Sequence, residues 1–141
     1  MTRWDDYFMK AAQLAASMSK DSTQVGAALV GFERNLILTA FNGPPRGVRD
    51  DPSRFERPAK YLWASHAEAN LIAFAARLGI RTDGHSVYVT HQPCSSCARS
   101  LIQAGIVEVV VGTGETHMPA NEFRAAAIMF LEAGVTVRQL K

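Results

Sequence analysis

Two short motifs in this sequence hold side chains able to ligate one metal ion: His66-Ala67-Glu68 and Pro93-Cys94-Ser95-Ser96-Cys97. Each motif alone is weak, because His-x-Glu arises by chance and Cys-x-x-Cys also serves redox pairs and structural zinc sites. Together they supply one imidazole and two thiols, a donor set that suits zinc in a tetrahedral site. Cys94 and Cys97 are the only cysteines in the chain. With three protein ligands the fourth corner is left to water, and an open corner marks a catalytic rather than a structural zinc. Two thiolates and a neutral imidazole cancel the charge of the ion, so it would acidify its water less than a zinc held by three histidines. A carboxylate is then needed to accept that proton, and Glu68 stands two positions after His66.

Both motifs fall where the sequence pattern predicts helix starts. Leu71, Phe74, Ala75 and Leu78 make the apolar stripe of a helix over residues 66–78, and Gly79 stops it. A second helix is expected over residues 94–104, with Pro93 suited to its first turn and Gly105 at its end. Helix N-termini carry partial positive charge and free N–H groups, which favours thiolate over thiol at both cysteines.

Around these motifs lie the elements that must position them. Residues 3–19 read as an amphipathic helix through Trp4, Phe8, Ala11, Ala12 and Ala15. Runs at 25–30 and 36–41, split by the turn-prone 31–35, suggest a β-hairpin. Strands are expected at 86–90, at 106–111 (apolar enough to be buried on both faces) and at 135–140, with a helix at 121–133 ended by Gly134. The fold class is therefore α/β: three α/β/α layers around a central mixed five-stranded sheet, in a single domain over residues 1–141. Residues 43–65 read as a long loop with four prolines and two glycines. Loops of that length are functional or disordered.

Composition narrows the setting. No apolar run approaches the roughly 20 residues that a membrane helix needs, and the first ten residues, MTRWDDYFMK, lack a signal peptide's basic-then-apolar pattern. A cytoplasmic protein without membrane contact is expected, and there a structural disulfide between Cys94 and Cys97 is not. Net charge is +2. It is all found in the long loop, where Arg46, Arg49, Arg54, Arg57 and Lys60 face Asp50, Asp51 and Glu56. One local basic patch suits a nucleotide phosphate better than a nucleic acid, which calls for a broader field. A solvated, charge-mixed loop is the alternative.

The paired motifs are the signature of zinc deaminases that act on cytosine or adenine. With them in place, the chain resembles the cytidine-deaminase-like superfamily and, within it, the deoxycytidylate (dCMP) deaminase branch. The matching segments are SKDSTQVGAALV (19–30), FNGPPRG (41–47), SHAEANLI (65–72), SVYVTHQPCSSCARSLIQAGIVEVV (86–110) and FLEAGV (130–135). The resemblance implies zinc held by His66, Cys94 and Cys97. It implies that Glu68 shuttles protons to the ring nitrogen and the leaving ammonia, the product being dUMP. It implies substrate contacts from Asn42 and from the Ala67 N–H, with Tyr88 or His91 walling the pocket, while His117 reads as a surface histidine. It also implies a homo-oligomer, often a hexamer, and regulation by dCTP and dTTP.

The chain departs from that pattern in two places. Ala40-Phe41 stands where the family often has Gly-Tyr, in the segment tied to nucleotide effectors, and a methyl there can block close approach. Two cysteines in all cannot build the additional zinc site of some relatives. The alternatives are a deaminase of a modified cytidylate, a nucleoside, guanine or an RNA base; a noncatalytic zinc module; and a redox protein using Cys94 and Cys97.

Overall fold

The computed structural model describes residues 1–141. Helix α1 spans Arg3–Ala16, opened by a reciprocal capping box between Thr2 and Asp5. Strands β1 (Gly26–Val30) and β2 (Leu36–Phe41) form the expected hairpin. The segment 43–65 is more ordered than a plain loop. It holds a 3-10 turn at Pro52–Phe55 and the short helix α2, Lys60–Trp63. Then follow α3 (Ala67–Leu78), β3 (Ser86–His91), α4 (Ser95–Gln103), β4 (Glu108–Gly114), α5 (Ala120–Ala133) and β5 (Thr136–Gln139).

The strands form one sheet in the order β2-β1-β3-β4-β5. β1 runs antiparallel to both its neighbours, while β3, β4 and β5 are parallel. The sheet is mixed and five-stranded, as expected. Strand side chains alternate between faces, and the two faces build two cores. Ala27, Leu29, Val87, Val89, Val109 and Val111 pack under residues of α3, α4 and α5, including Leu71, Leu101 and Phe130. Ala28, Val30, Tyr88 and Val110 pack against Phe8, Met9 and Ala12 of α1. Three layers result, with α1 alone on one side.

Helix α1 stops at Ala16, three residues short of the expected end, and both ends of β4 differ from the sequence reading for local reasons. The fourth strand starts at Glu108, because residues 105–107 are used in ending α4. Gly105 takes a left-handed φ of 81°, and the Ile106 N–H donates back to the Leu101 carbonyl at 3.1 Å. At its far end β4 carries an extra residue against β3: Val89 pairs with Val111, but His91 pairs with Gly114. No helix is long and apolar enough to cross a membrane.

Candidate active site

The two motifs meet at one end of the sheet, where β3 runs out and α3 and α4 begin. His66 is the N-cap of α3 and Cys94 the N-cap of α4, and neither caps its helix with a side-chain hydrogen bond. Both side chains are thereby free to turn toward each other. The His66 Nδ1 atom lies 3.4 Å from the Cys94 sulphur and 3.3 Å from the Cys97 sulphur. All three ligand atoms lie within 4.8 Å of one another. A tetrahedral zinc with ordinary bond lengths sets neighbouring sulphur and nitrogen ligands about 3.5 Å apart. The donor set and its spacing therefore fit that ion. The two cysteines are buried and His66 is exposed, so one flank of the triad is open.

The electrostatics of the triad favour a cation. Hydrogen bonds from the Cys97 thiol and then from His66 hold the Cys94 thiol well below its usual range. The Cys94 sulphur and burial push the Cys97 thiol up. A divalent ion among the ligands would favour thiolate at both sulphurs. The hydrogen bond to Cys94 also raises the His66 imidazole. Glu68, in the first turn of α3, is only 3% exposed. Burial pushes its carboxyl up to about 7, against the pull of its own backbone N–H and of the His66 charge. A carboxyl there can hold or release a proton near neutral pH.

A cleft of about 270 Å³ opens over the triad, at the small end of ligand pockets, which begin near 300 Å³. Its floor includes His66, Ala67, Glu68 and Cys94. As the first helical residue of α3, Ala67 has an N–H with no acceptor in its own helix. Asn42 and His91 also line the cleft. Both ends of the Asn42 amide are engaged by backbone: Oδ1 accepts from the Val25 N–H at 2.9 Å and Nδ2 donates to the Thr23 carbonyl at 2.8 Å. The side chain thus clips residues 23–25 into the wall.

Tyr88 is not brought to the cleft. Strand alternation turns it to the α1 side, where its hydroxyl donates to Asp5. Of the five cations in the 43–65 segment, only Arg57 and Lys60 reach the cleft. Arg46 lies over the Phe74 ring and Arg54 over the Trp63 ring, 4.6 and 3.9 Å from the centroids.

Lys60 belongs to the basic loop read as suited to a phosphate, but its partner Asp21 and several other residues about the cleft escaped the sequence reading. Lys60 and Asp21 form a buried ion pair at 2.9 Å in the cleft wall. His117, read as a surface residue, lines the cleft together with Thr116, Met118 and Pro119 from the β4–α5 connection. Behind the floor, Glu122 at the start of α5 accepts from the Ser95 N–H and hydroxyl at 3.1 and 2.7 Å, and so caps α4. Asn70 donates to the Phe41 carbonyl at 2.9 Å and locks α3 to the end of β2. Asp21 precedes its partner by 39 residues and Ser95 precedes Glu122 by 27. No local pattern signals such pairs.

Comparison with known proteins agrees with this arrangement. Residues 2–113 match the family described as the cytidine and deoxycytidylate deaminase zinc-binding region. Over 143 residues the chain is 40% identical to deoxycytidylate deaminase of Mus musculus, covering 96% of this chain and 79% of that protein. Its identity to the Homo sapiens deoxycytidylate deaminase is 39%, with the same coverage. The apo crystal structure of dCMP deaminase from cyanophage S-TIM5 superposes with a TM-score of 0.78 at 25% identity, covering 99% of this chain and 100% of that one.

Proposed function

The chain belongs to the cytidine and deoxycytidylate deaminase family, and from that premise we propose that it hydrolyses dCMP to dUMP and ammonia. The observation that carries the reading is a buried carboxyl, Glu68, in the same small site as a zinc-type triad of His66, Cys94 and Cys97. His66, Cys94 and Cys97 would hold zinc. When bound, the ion supplies Lewis acidity, which makes water nucleophilic at neutral pH.

The chain's own groups do the rest. Glu68 takes the proton of the attacking water as a C–O bond forms at C4 of the pyrimidine. It passes that proton to ring N3. The proton left on the new C4 hydroxyl then passes by way of Glu68 to the departing amine as the C4–N bond breaks, giving ammonia and the carbonyl of dUMP. The unpaired Ala67 N–H offers a donor to the pyrimidine carbonyl. Arg57 supplies positive charge on the cleft for the phosphate, beside Lys60, whose charge is paired with that of Asp21. Asn42 holds the wall in shape with one lone pair and one N–H of its amide, and the second of each is left for a substrate contact.

We take the chain to act as a single domain in the cytoplasm and to form a homo-oligomer. The exposed Leu131 and Val137 of α5 and β5 offer apolar surface to a second copy.

Ammonia release tests the assignment. dCMP should react, and deoxycytidine, cytidine, guanine and RNA adenosine should lag well behind. Turnover of one of these with dCMP unreacted would refute the substrate. Glu68→Gln should keep zinc and fold yet lose roughly 10²- to 10⁴-fold in kcat; full activity in that variant would remove the carboxylate's role.

A further inference from the structure

The geometry points to Thr90 as a positioning residue that fixes His91 as a neutral Nε2–H donor to a substrate oxygen, a role that rests on the reading of the cleft above. The Thr90 hydroxyl oxygen accepts from the Gly26 N–H at 3.1 Å and lies 2.7 Å from His91 Nδ1. A hydroxyl has one proton to give. Thr90 is buried and makes no other side-chain hydrogen bond, so its proton goes to Nδ1. Were Nδ1 itself protonated, the Thr90 proton would have no acceptor. With Nδ1 accepting, a neutral imidazole carries its proton on Nε2. That atom has no protein partner, and His85 Nδ1 is the one buried side-chain atom left unpaired, so His91 Nε2 reaches solvent. His91 borders the active-site cleft.

Two further features hold the ring in place. A Cβ at Gly114 would overlap the His91 ring, so only glycine leaves room for it there. The extra residue of β4 falls between the Val89 and His91 pairs, and such bulges re-aim side chains beside active sites. Burial lowers the His91 pKa, which disfavours the charged ring. The acceptor is a substrate oxygen, on either the phosphate or the nucleoside.

The test uses the zinc-loaded full chain. Nitrogen NMR should show His91 with a bare Nδ1 and a protonated Nε2 in the wild type and in Thr90→Ser, and mixed tautomers in Thr90→Val. For dCMP, Thr90→Val and His91→Phe should raise KM roughly 3- to 10-fold, the worth of one neutral hydrogen bond, with a smaller effect on kcat. His91→Gln, which can donate from a similar place, should recover most of the loss. With deoxycytidine, a penalty that persists assigns the oxygen to the nucleoside, and one that vanishes assigns it to the phosphate. If Thr90→Val does not fold, Gly114→Ala, which displaces the ring and keeps the hydroxyl, should give the same rise in KM. A protonated Nδ1 in the wild type, or an unchanged KM in these variants, overturns the proposal. A wild type that releases no ammonia from dCMP would instead refute the substrate reading, and the NMR arm would still decide the tautomer.

Discussion

Lys60 places a full positive charge where little water reaches it: its side chain is 8% exposed and that of its partner Asp21 is 2% exposed. Desolvating two charges costs several kcal/mol each, so such a pair is weak support for stability by itself. Removing one partner is another matter, because it strands the other. Lys60→Met should therefore cost about 3–5 kcal/mol, read by urea unfolding. The double variant Asp21→Leu with Lys60→Met should regain much of that stability. Its KM for dCMP should stay high if the ammonium serves the phosphate, and a KM that recovers with stability would make the pair purely structural. At this scale the sequence was legible where chemistry is written in short motifs. His66, Glu68, Cys94 and Cys97 stand within a few residues of one another in two places, and they meet in space. Asp21 and His117 were not legible as cleft residues, since they arrive there only when distant segments close. Tyr88 could have been excluded by counting alternation from Val87 and Val89, which sends it to the opposite face.

Among the elements, α1 lies directly against β1 at Gly26. A Cβ at Gly26 would overlap the Ala12 carbonyl and come within 2.6 Å of the Ala16 nitrogen. Both are helix backbone, which cannot rotate away. Gly26→Ala should force α1 off the sheet and destabilise the chain by about 1–3 kcal/mol or more, seen as a lower melting temperature. Zinc content should survive, because the triad sits on α3 and α4. Loss of the metal with α1 displaced would show that the α1 layer supports the site directly. The helices and strands themselves followed from periodicity and glycine stops, as at Gly79 and Gly134, both left-handed caps. Helix α2 was missed because four residues, Lys60–Trp63, are too few to show a period.

Across the whole molecule, one polar network ties the α1 layer to the sheet. Asp5 accepts from the Thr2 N–H, from the Tyr88 hydroxyl, and from both terminal nitrogens of Arg138 at 3.1 and 2.9 Å. Arg138 also donates to Glu108 at 3.0 Å. α1, β3, β4 and β5 are thus joined through a carboxylate that is 2% exposed. The Arg138 guanidinium holds the Asp5 carboxyl well below the usual carboxylate range. A depressed folded pKa gives stability that is complete above the unfolded value, near 3.9, and is lost as pH falls toward the folded one. Stability from this group should be flat near neutral pH and decline below about pH 4. Asp5→Asn should lose about 2–3 kcal/mol at pH 7, a discount on a fully buried pair because Arg138 is half-buried. It should also flatten the acid limb of the unfolding profile; an acid limb of unchanged slope would place the sensitivity elsewhere.

The triad, finally, draws its ligands from two helices separated in the chain by a strand. An ion shared by His66, Cys94 and Cys97 staples those segments together, and an unfolded chain cannot offer the same pocket. The protein's resistance to heat is then tied to the metal supply of its surroundings. While the site is nearly full, each tenfold fall in free zinc removes about 1.4 kcal/mol, so the same apparatus that would ready water for attack also sets how long the molecule endures when zinc is scarce.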